Sequence, residues 1–352
     1  MARDTERPPE LDPIVPFPPM EAERVRELPV GEEWAYEPKW DGFRGVLENT
    51  RGAVRLWSRN GRPLLRYFPE LAPLGDLLPA GSALDGEIVI TVDGAIDFDA
   101  MQTRLHPAES RIRKLAAEIP ARFIAFDILL WSGLPLWGKP FAERRAALER
   151  DAAAFDLSPS VEDVSVARAW LRGLEQLGLD GVVAKRLDRP VEPGGRGAVV
   201  KVKPERTADC VVVGVRWKTK PDGGAPARIA TLLLGLYNDA GEVDYVGSAA
   251  VAASRHEAIA EQVIPLLDTE SDRRFSEQNR WGSAGLEEQP VRPELVVEVR
   301  YDKVQRRRFR HGTRLLRLRT DKNARACTWR ELLEPRDPTT PSVADLLRTP
   351  DG

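Results

Sequence analysis

A lysine can act as a nucleophile when a rigid element holds its amine and its surroundings let it lose a proton. Lys39 has the first of these requirements. Polar and apolar residues alternate through Trp34-Ala-Tyr-Glu-Pro-Lys39, as in a half-buried strand, and Asp41-Gly42 then breaks the strand with a tight turn. Alone, Lys-Trp-Asp-Gly also describes a surface lysine at a hairpin. Further groups downstream change the reading. Ala198–Lys203 is a predicted strand that puts Lys201 and Lys203 on one face, a pairing that fits a phosphate clamp and is expected to depress the pKa of Lys39. Asp85 and Glu87 share a face of the predicted strand Ala83–Val92, and Asp180 offers a hard oxygen of the kind Mg²⁺ prefers.

The elements that would position these groups follow in order. Residues 1–19 are proline-rich and read as a flexible arm or extended strap. Short helices are expected at Glu21–Leu28 and Tyr67–Leu78, with others at Asp99–Leu105, Ala108–Ile119, Phe141–Ala153 and Val166–Leu177. Phe43–Glu48 and Ala53–Ser58 read as antiparallel strands, and Arg122–Leu130 as a central strand buried on both faces, in which periodicity alone makes Phe126 a core residue. Leu179–Lys185 is a strand after an Asp-Gly turn, and Pro204–Ala208 a hinge. Beyond it, Cys210–Trp217, Arg228–Tyr237, Val243–Gly247 and Leu295–Tyr301 are short strands of a small barrel, Val251–Leu267 its helix and Asp268–Gln289 a long loop. Arg314–Arg319 mixes leucines with cations like a barrel strand with one basic face. From Glu331 the chain reads as a loosely attached tail.

The chain of 352 residues is long enough for two cores, 42% apolar and 30% charged. No apolar run is long enough for a membrane span, and the N-terminus lacks a secretory h-region, so a cytoplasmic protein is expected. Two cysteines, Cys210 and Cys327, make neither a zinc cluster nor a disulfide framework. His106, His256 and His311 lack ligand spacing. The net charge of −3 hides a basic stretch: Arg300–Arg325 holds eleven Lys or Arg against Asp302 and Asp321. Such a run is either a footprint for phosphates or a solvated face.

Seven fragments lie in order: Lys39-Trp-Asp-Gly42, Ser58-Arg-Asn-Gly61, Leu84-Asp-Gly-Glu87, Phe126-Asp127, Asp180-Gly-Val-Val-Ala-Lys185, Val200-Lys-Val-Lys203 and Arg319-Thr-Asp-Lys322. Together they resemble the motifs of the lysine-dependent nucleotidyltransferases, most closely the bacterial ATP-dependent DNA ligases of the C and D types. The resemblance implies an α+β fold: an adenylyltransferase domain of ATP-grasp-like antiparallel sheets with helices over 20–204, an OB-fold β-barrel over 205–330, and flanking segments 1–19 and 331–352. It implies that Lys39 takes AMP from ATP, passes it to the 5′-phosphate of a nick, and that the 3′-hydroxyl then displaces it, in DNA repair. Around the nucleotide it implies Glu37, Lys39, Arg44, Arg59, Glu87, Phe126, Lys201 and Lys203, with Phe126 stacked on adenine and Arg44 and Arg59 facing phosphates. Glu87 and Asp180 would hold Mg²⁺ or Mn²⁺, although most family members carry Glu at the position of Asp180. Arg319 and Lys322 would orient the pyrophosphate, with Asp321 holding their geometry. Nicked duplex DNA would lie against Arg44, Arg59, Arg196, Arg306, Arg307 and Arg308. A monomer is expected, with repair partners unknown. The alternatives are an RNA ligase or other covalent nucleotidyltransferase, and a non-catalytic DNA-binding module.

Overall fold

The computed structural model describes residues 13–221, 225–271, 288–305, 307–310, 312–332 and 342–347. Arg306 and His311, and most of the expected loop Asp268–Gln289, lie outside the described residues. The chain divides into two units, Met1–Pro204 with Arg336–Gly352, and Glu205–Pro335.

The first unit is built on two sheets. A seven-stranded sheet runs Ala53–Ser58, Phe43–Thr50, Ser82–Val92, Ala121–Trp131, Leu134–Pro135, with Ala95–Ile96 and Asp156–Leu157 at its side. In the apolar run Ala121–Trp131 every residue but Arg122, Phe126 and Trp131 is buried, as a central strand requires. A four-stranded sheet runs Glu23–Arg24, Val199–Val202, Val182–Arg186, Trp34–Pro38. Helices Phe98–Thr103, Glu109–Glu118, Phe141–Asp151 and Val164–Gly173 complete the α+β unit.

Two local expectations change and a third narrows to one of its alternatives. Glu21–Leu28 is no helix: Glu23–Arg24 pairs parallel with Val200–Lys201, and the Val25 amide donates to the Lys201 carbonyl, so the segment spends its backbone groups on a sheet edge. Tyr67–Leu78 winds as the 3₁₀ turns Leu65–Tyr67 and Pro69–Asp76, because Pro69, Pro73 and Gly75 do not sustain an α-helical ladder. Of the N-terminal arm, Ile14, Val15 and Phe17 pack beside Val46 and Trp57, and buried Glu48 accepts from the Ile14 amide and the Trp57 indole, which makes this part a strap.

The second unit closes on itself. Strands follow the order Arg228–Tyr237, Val243–Ala250, Thr313–Leu318, Val296–Tyr301, Arg206–Thr219, and the last pairs back onto the first. The Val243–Ala250 and Thr313–Leu318 contact is parallel, and the helix His256–Val263 sits in sequence between the third and fourth barrel strands. This is the OB-fold barrel, and its closure removes sheet edges. Glu288–Pro290, overlapping the end of the expected loop, adds to Gly214–Arg216 as a short strand. The expected hinge Pro204–Ala208 shrinks, because Arg206 already starts the first barrel strand and pairs with Tyr301.

The tail also departs from expectation. Val343–Leu347 is a helix that belongs with the first unit, where Val343 is buried among Trp40, Val89, Ile96 and Leu179, and its amide donates to the Gly94 carbonyl. Five residues are too few for a periodic signal in sequence. Val343→Asp would leave a carboxylate in this apolar cluster and should destabilise the first unit by roughly 3 kcal/mol. A urea unfolding curve checks this; an unchanged midpoint would mean that the helix adds nothing to the fold.

Candidate active site

A cavity of about 520 Å³ opens in the first unit, lined from one sheet by Glu37, Lys39, Val183, Lys185 and Lys201 and from the other by Arg44, Glu87, Phe126 and Asp127. Lys39 enters it from just beyond the strand Trp34–Pro38. The Lys39 amide donates to the Gly181 carbonyl at 2.9 Å, and the Asp180 amide donates to the Lys39 carbonyl at 2.9 Å. This reciprocal pair locks the two turns together. Gly181 is required there: its φ is +137°, and a Cβ would meet the Val202 carbonyl oxygen at 2.1 Å.

The side chains complete the lock. Asp180 Oδ2 lies 2.7 Å from Lys39 Nζ and 2.7 Å from Lys203 Nζ, one carboxylate oxygen shared by two ammonium groups. Burial alone would lower the Lys39 pKa, but Asp180, with smaller contributions from Glu87 and Asp41, outweighs it and raises the amine above its ordinary value. The expectation of a depressed Lys39 is therefore corrected: without substrate, Lys39 is a held ammonium. At Lys201 the pKa falls instead, through burial and the neighbouring Lys39 and Lys203. Asp180 is held below the usual carboxylate range: burial opposes this, but Lys39 and Lys203 prevail.

Glu87 behaves oppositely. Burial pushes its carboxyl up to about 7 against the pull of Lys39 and Arg44, and its Oε1 accepts from the Gly42 amide at 3.1 Å. Among the described residues no group of three or more His, Cys, Asp and Glu side chains gathers as a metal site. Mg²⁺ needs only one or two carboxylates beside substrate phosphate, so Glu87 and Asp180, both acting on the Lys39 amine, still fit.

Arg44 and Phe126 line the same wall, from two strands of the seven-stranded sheet. Arg44 Nη2 and Nε grip Asp85 at 2.6 and 3.0 Å, Nη1 donates to the Met20 carbonyl, and the guanidinium carbon lies 5.5 Å from the Phe126 ring centroid. Arg44 thus lines the pocket but carries a carboxylate partner that its phosphate role did not foresee. Phe126, core by periodicity, is half-buried and faces the cavity. Arg59 also lines the cavity, with Ser58 and Asn60. Beneath, Arg144 pairs bidentately with Asp127 at 2.8 Å, and Lys185 Nζ donates to Glu37 Oε1 and the Phe126 carbonyl, each at 2.9 Å.

In the second unit, Asp209 gathers Arg319 and Lys322. Arg319 Nη1 reaches Asp209 Oδ2 at 2.8 Å and Lys322 Nζ reaches the same oxygen at 3.0 Å. Asp321 takes Arg319 Nε at 2.8 Å and Nη2 at 2.9 Å, and Glu331 binds Lys322. Asp321 thus orients Arg319, and the Arg319 hydrogen bond draws the Asp321 carboxyl down to about 2. Much of the basic stretch is neutralised in the same way, as Arg300 pairs with Glu205 and Arg317 with Glu298. Arg307 and Arg308 are exposed and lie over the rings of Trp329 and Tyr245. Arg196 is exposed and pairs with Glu21 at 2.9 Å.

The family model for the ATP dependent DNA ligase domain matches residues 19–203, and that for the ATP dependent DNA ligase C terminal region matches 225–322. DNA ligase C2 of Mycolicibacterium smegmatis is 42% identical over 350 residues, covering 93% of this chain and 97% of that protein. The chain belongs to the ATP-dependent DNA ligases. A second relative, the multifunctional non-homologous end joining DNA repair protein LigD of Mycobacterium tuberculosis, is 34% identical over 275 residues, 76% of this chain and 34% of its own length. A solved Lig E DNA ligase shares the fold, with a TM-score of 0.51 at 16% identity, covering 85% of this chain and 99% of that one.

In this ligase the first unit brings Glu37, Lys39, Arg44, Arg59, Glu87, Phe126 and Lys201 to one cavity, with Asp180 joined to it through Lys39 and Lys203 through Asp180. Sequence reasoning missed Asp85, Arg144, Lys185 and Asp209 as partners of site residues. Two predictions follow from the charges. Asp180→Asn removes the counter-charge on Lys39, so acetic anhydride should acylate Lys39 of the substrate-free protein several-fold faster at about pH 8. Peptide mass spectrometry reads the extent, and an equal or slower rate would mean that Asp180 does not hold the proton. Glu87, with a folded pKa of about 7 against 4.5, keeps a proton that the unfolded chain releases. Stability should therefore fall as pH rises from 4.5 to about 7, and Glu87→Gln should flatten that slope in pH-dependent melts.

Proposed function

We propose that this chain seals nicks in duplex DNA by the lysyl-AMP route, acting as a monomer in DNA repair. The supporting observation is the single Asp180 oxygen that fixes the Lys39 amine in a cavity also holding Glu87, Arg44 and Lys201. In the first step the Lys39 amine forms a bond to the α-phosphorus of ATP, the α–β P–O bond breaks, and pyrophosphate leaves. The amine must give up one proton to solvent, which the raised pKa makes the costly part. A divalent cation, Mg²⁺ or Mn²⁺, held by Glu87 and Asp180 would supply positive charge against the phosphate oxygens and weaken the hold of the carboxylates on the amine. Lys201 offsets charge on the non-bridging oxygens, and Lys203 steadies Asp180. Phe126 offers its ring to the base, and Arg59 lines the cavity for phosphate.

Arg319 and Lys322 act on the leaving pyrophosphate once freed from Asp209, Asp321 and Glu331. In the second step AMP moves from Lys39 to the 5′-phosphate at the nick; in the third the 3′-hydroxyl attacks that phosphorus and AMP leaves. Arg307 and Arg308 supply backbone contacts on duplex DNA, which carry position rather than sequence. The LigD resemblance favours repair as the setting.

Arg319→Ala should slow self-adenylylation by about a hundredfold while leaving joining of a pre-adenylylated nick within about threefold of wild type. A gel assay on labelled nicked duplexes, with DNA or RNA at the 3′ side, checks it. Equal loss of both steps would refute the assigned role, and joining confined to RNA ends would favour an RNA ligase.

A further inference from the structure

Chain neighbours of the three charged groups of the site share one apolar cluster. Trp40 follows Lys39, Leu179 precedes Asp180 and Val89 lies two residues beyond Glu87; all three are buried in a cluster that also holds Val343. The Trp40 indole N–H donates to Ser158 Oγ at 2.9 Å, with Trp40 5% and Ser158 0% exposed. The Ser158 amide donates in turn to the Ala125 carbonyl at 2.8 Å, so the residue after Lys39 is fastened to the strand that carries Phe126.

The helix Val343–Leu347 completes the packing. Val343 is buried in the cluster, and Leu346 and Leu347 pack against it. Five residues cannot hold a helix by themselves, yet this one is fixed at its start. Ser342 Oγ accepts from the Asp345 amide at 3.1 Å, Asp345 Oδ2 accepts from the Ser342 amide at 2.9 Å, and the Val343 amide donates to the Gly94 carbonyl at 3.1 Å. A close-packed cluster transmits displacement, and a misplacement of about 1 Å at a reacting group can cost about a hundredfold in rate.

We infer that the helix Val343–Leu347 and the Trp40–Ser158 hydrogen bond form a positioning element for the Lys39 amine, holding the Lys39 turn in register with Asp180. Its effect on rate rests on the proposed lysyl-AMP reading; its effect on Lys39 itself rests on geometry alone. Loosening the cluster moves the two turns that flank it, and the 2.7 Å contact between Lys39 Nζ and Asp180 Oδ2 opens. An amine released from its carboxylate loses its proton more readily and stands out of line for attack.

The test compares wild type with Val343→Ala, which thins the cluster, Ser158→Ala, which removes the acceptor of the indole, and Val343→Ile, which keeps the apolar contact. In the substrate-free protein at about pH 8, acetic anhydride should acylate Lys39 several-fold faster in both alanine variants, while exposed Lys114 reacts as in wild type. In self-adenylylation both should lower kcat by about tenfold with KM for ATP within about threefold, and joining of a pre-adenylylated nick should stay within about threefold. Val343→Ile should stay near wild type throughout. Circular dichroism melts verify folding, and if one alanine variant does not fold, the other carries the same comparison. A wild-type acylation rate at Lys39, an unchanged kcat, or an equal loss of adenylylation and joining in a folded variant would overturn the inference. A wild-type chain that takes no AMP would instead defeat the transfer reading, and the acylation rates would still decide whether this element positions Lys39.

Discussion

The carboxylate of Asp180 is the constraint on which the site depends. Two backbone hydrogen bonds tie its turn to that of Lys39, and one of its oxygens is then shared by Lys39 and Lys203. Three strands are fixed by this arrangement: the one ending at Pro38, the one starting at Val182 and the one ending at Val202. Gly181 permits it, since a side chain there would strike the neighbouring backbone. Backbone and charge together thus aim the amine, with the proton still on it.

The same economy runs through the rest of the cavity. Arg44 is held by Asp85, Arg144 by Asp127, and Lys185 by Glu37, so these cations of the cavity are already partnered. Burying ions in this way is tolerable because each has an opposite charge and directed hydrogen bonds. In the second unit Arg319 and Lys322 rest on Asp209 by the same logic. Lys201 stands apart from Lys39: burial and the crowding of Lys39 and Lys203 lower its pKa.

Much of this arrangement could be read from residue order. The alternation before Lys39, the two-residue spacing of Lys201 and Lys203, and the strand run of the barrel gave the sheets and most of the cavity lining, because period-two patterns report directly on which face is buried. The partners could not be read this way. Asp85 lies 41 residues from Arg44, Glu37 148 from Lys185, and Asp209 110 from Arg319, distances at which only the folded sheets bring charges together. The protonation of Lys39 was misjudged for the same reason: two flanking lysines were visible, but not that Asp180 would lie between them. The helix Val343–Leu347 was lost in a proline-rich tail because a single buried valine carries no period.

Mapping where AMP becomes attached tests the central claim most directly. After incubation with ATP and Mg²⁺, the chain would be digested near neutral pH and the modified peptide sequenced by tandem mass spectrometry. The account predicts one adenylylated, acid-labile residue, Lys39, with the modification lost in Lys39→Ala. AMP carried by any other residue, or undiminished labelling of Lys39→Ala, would contradict it.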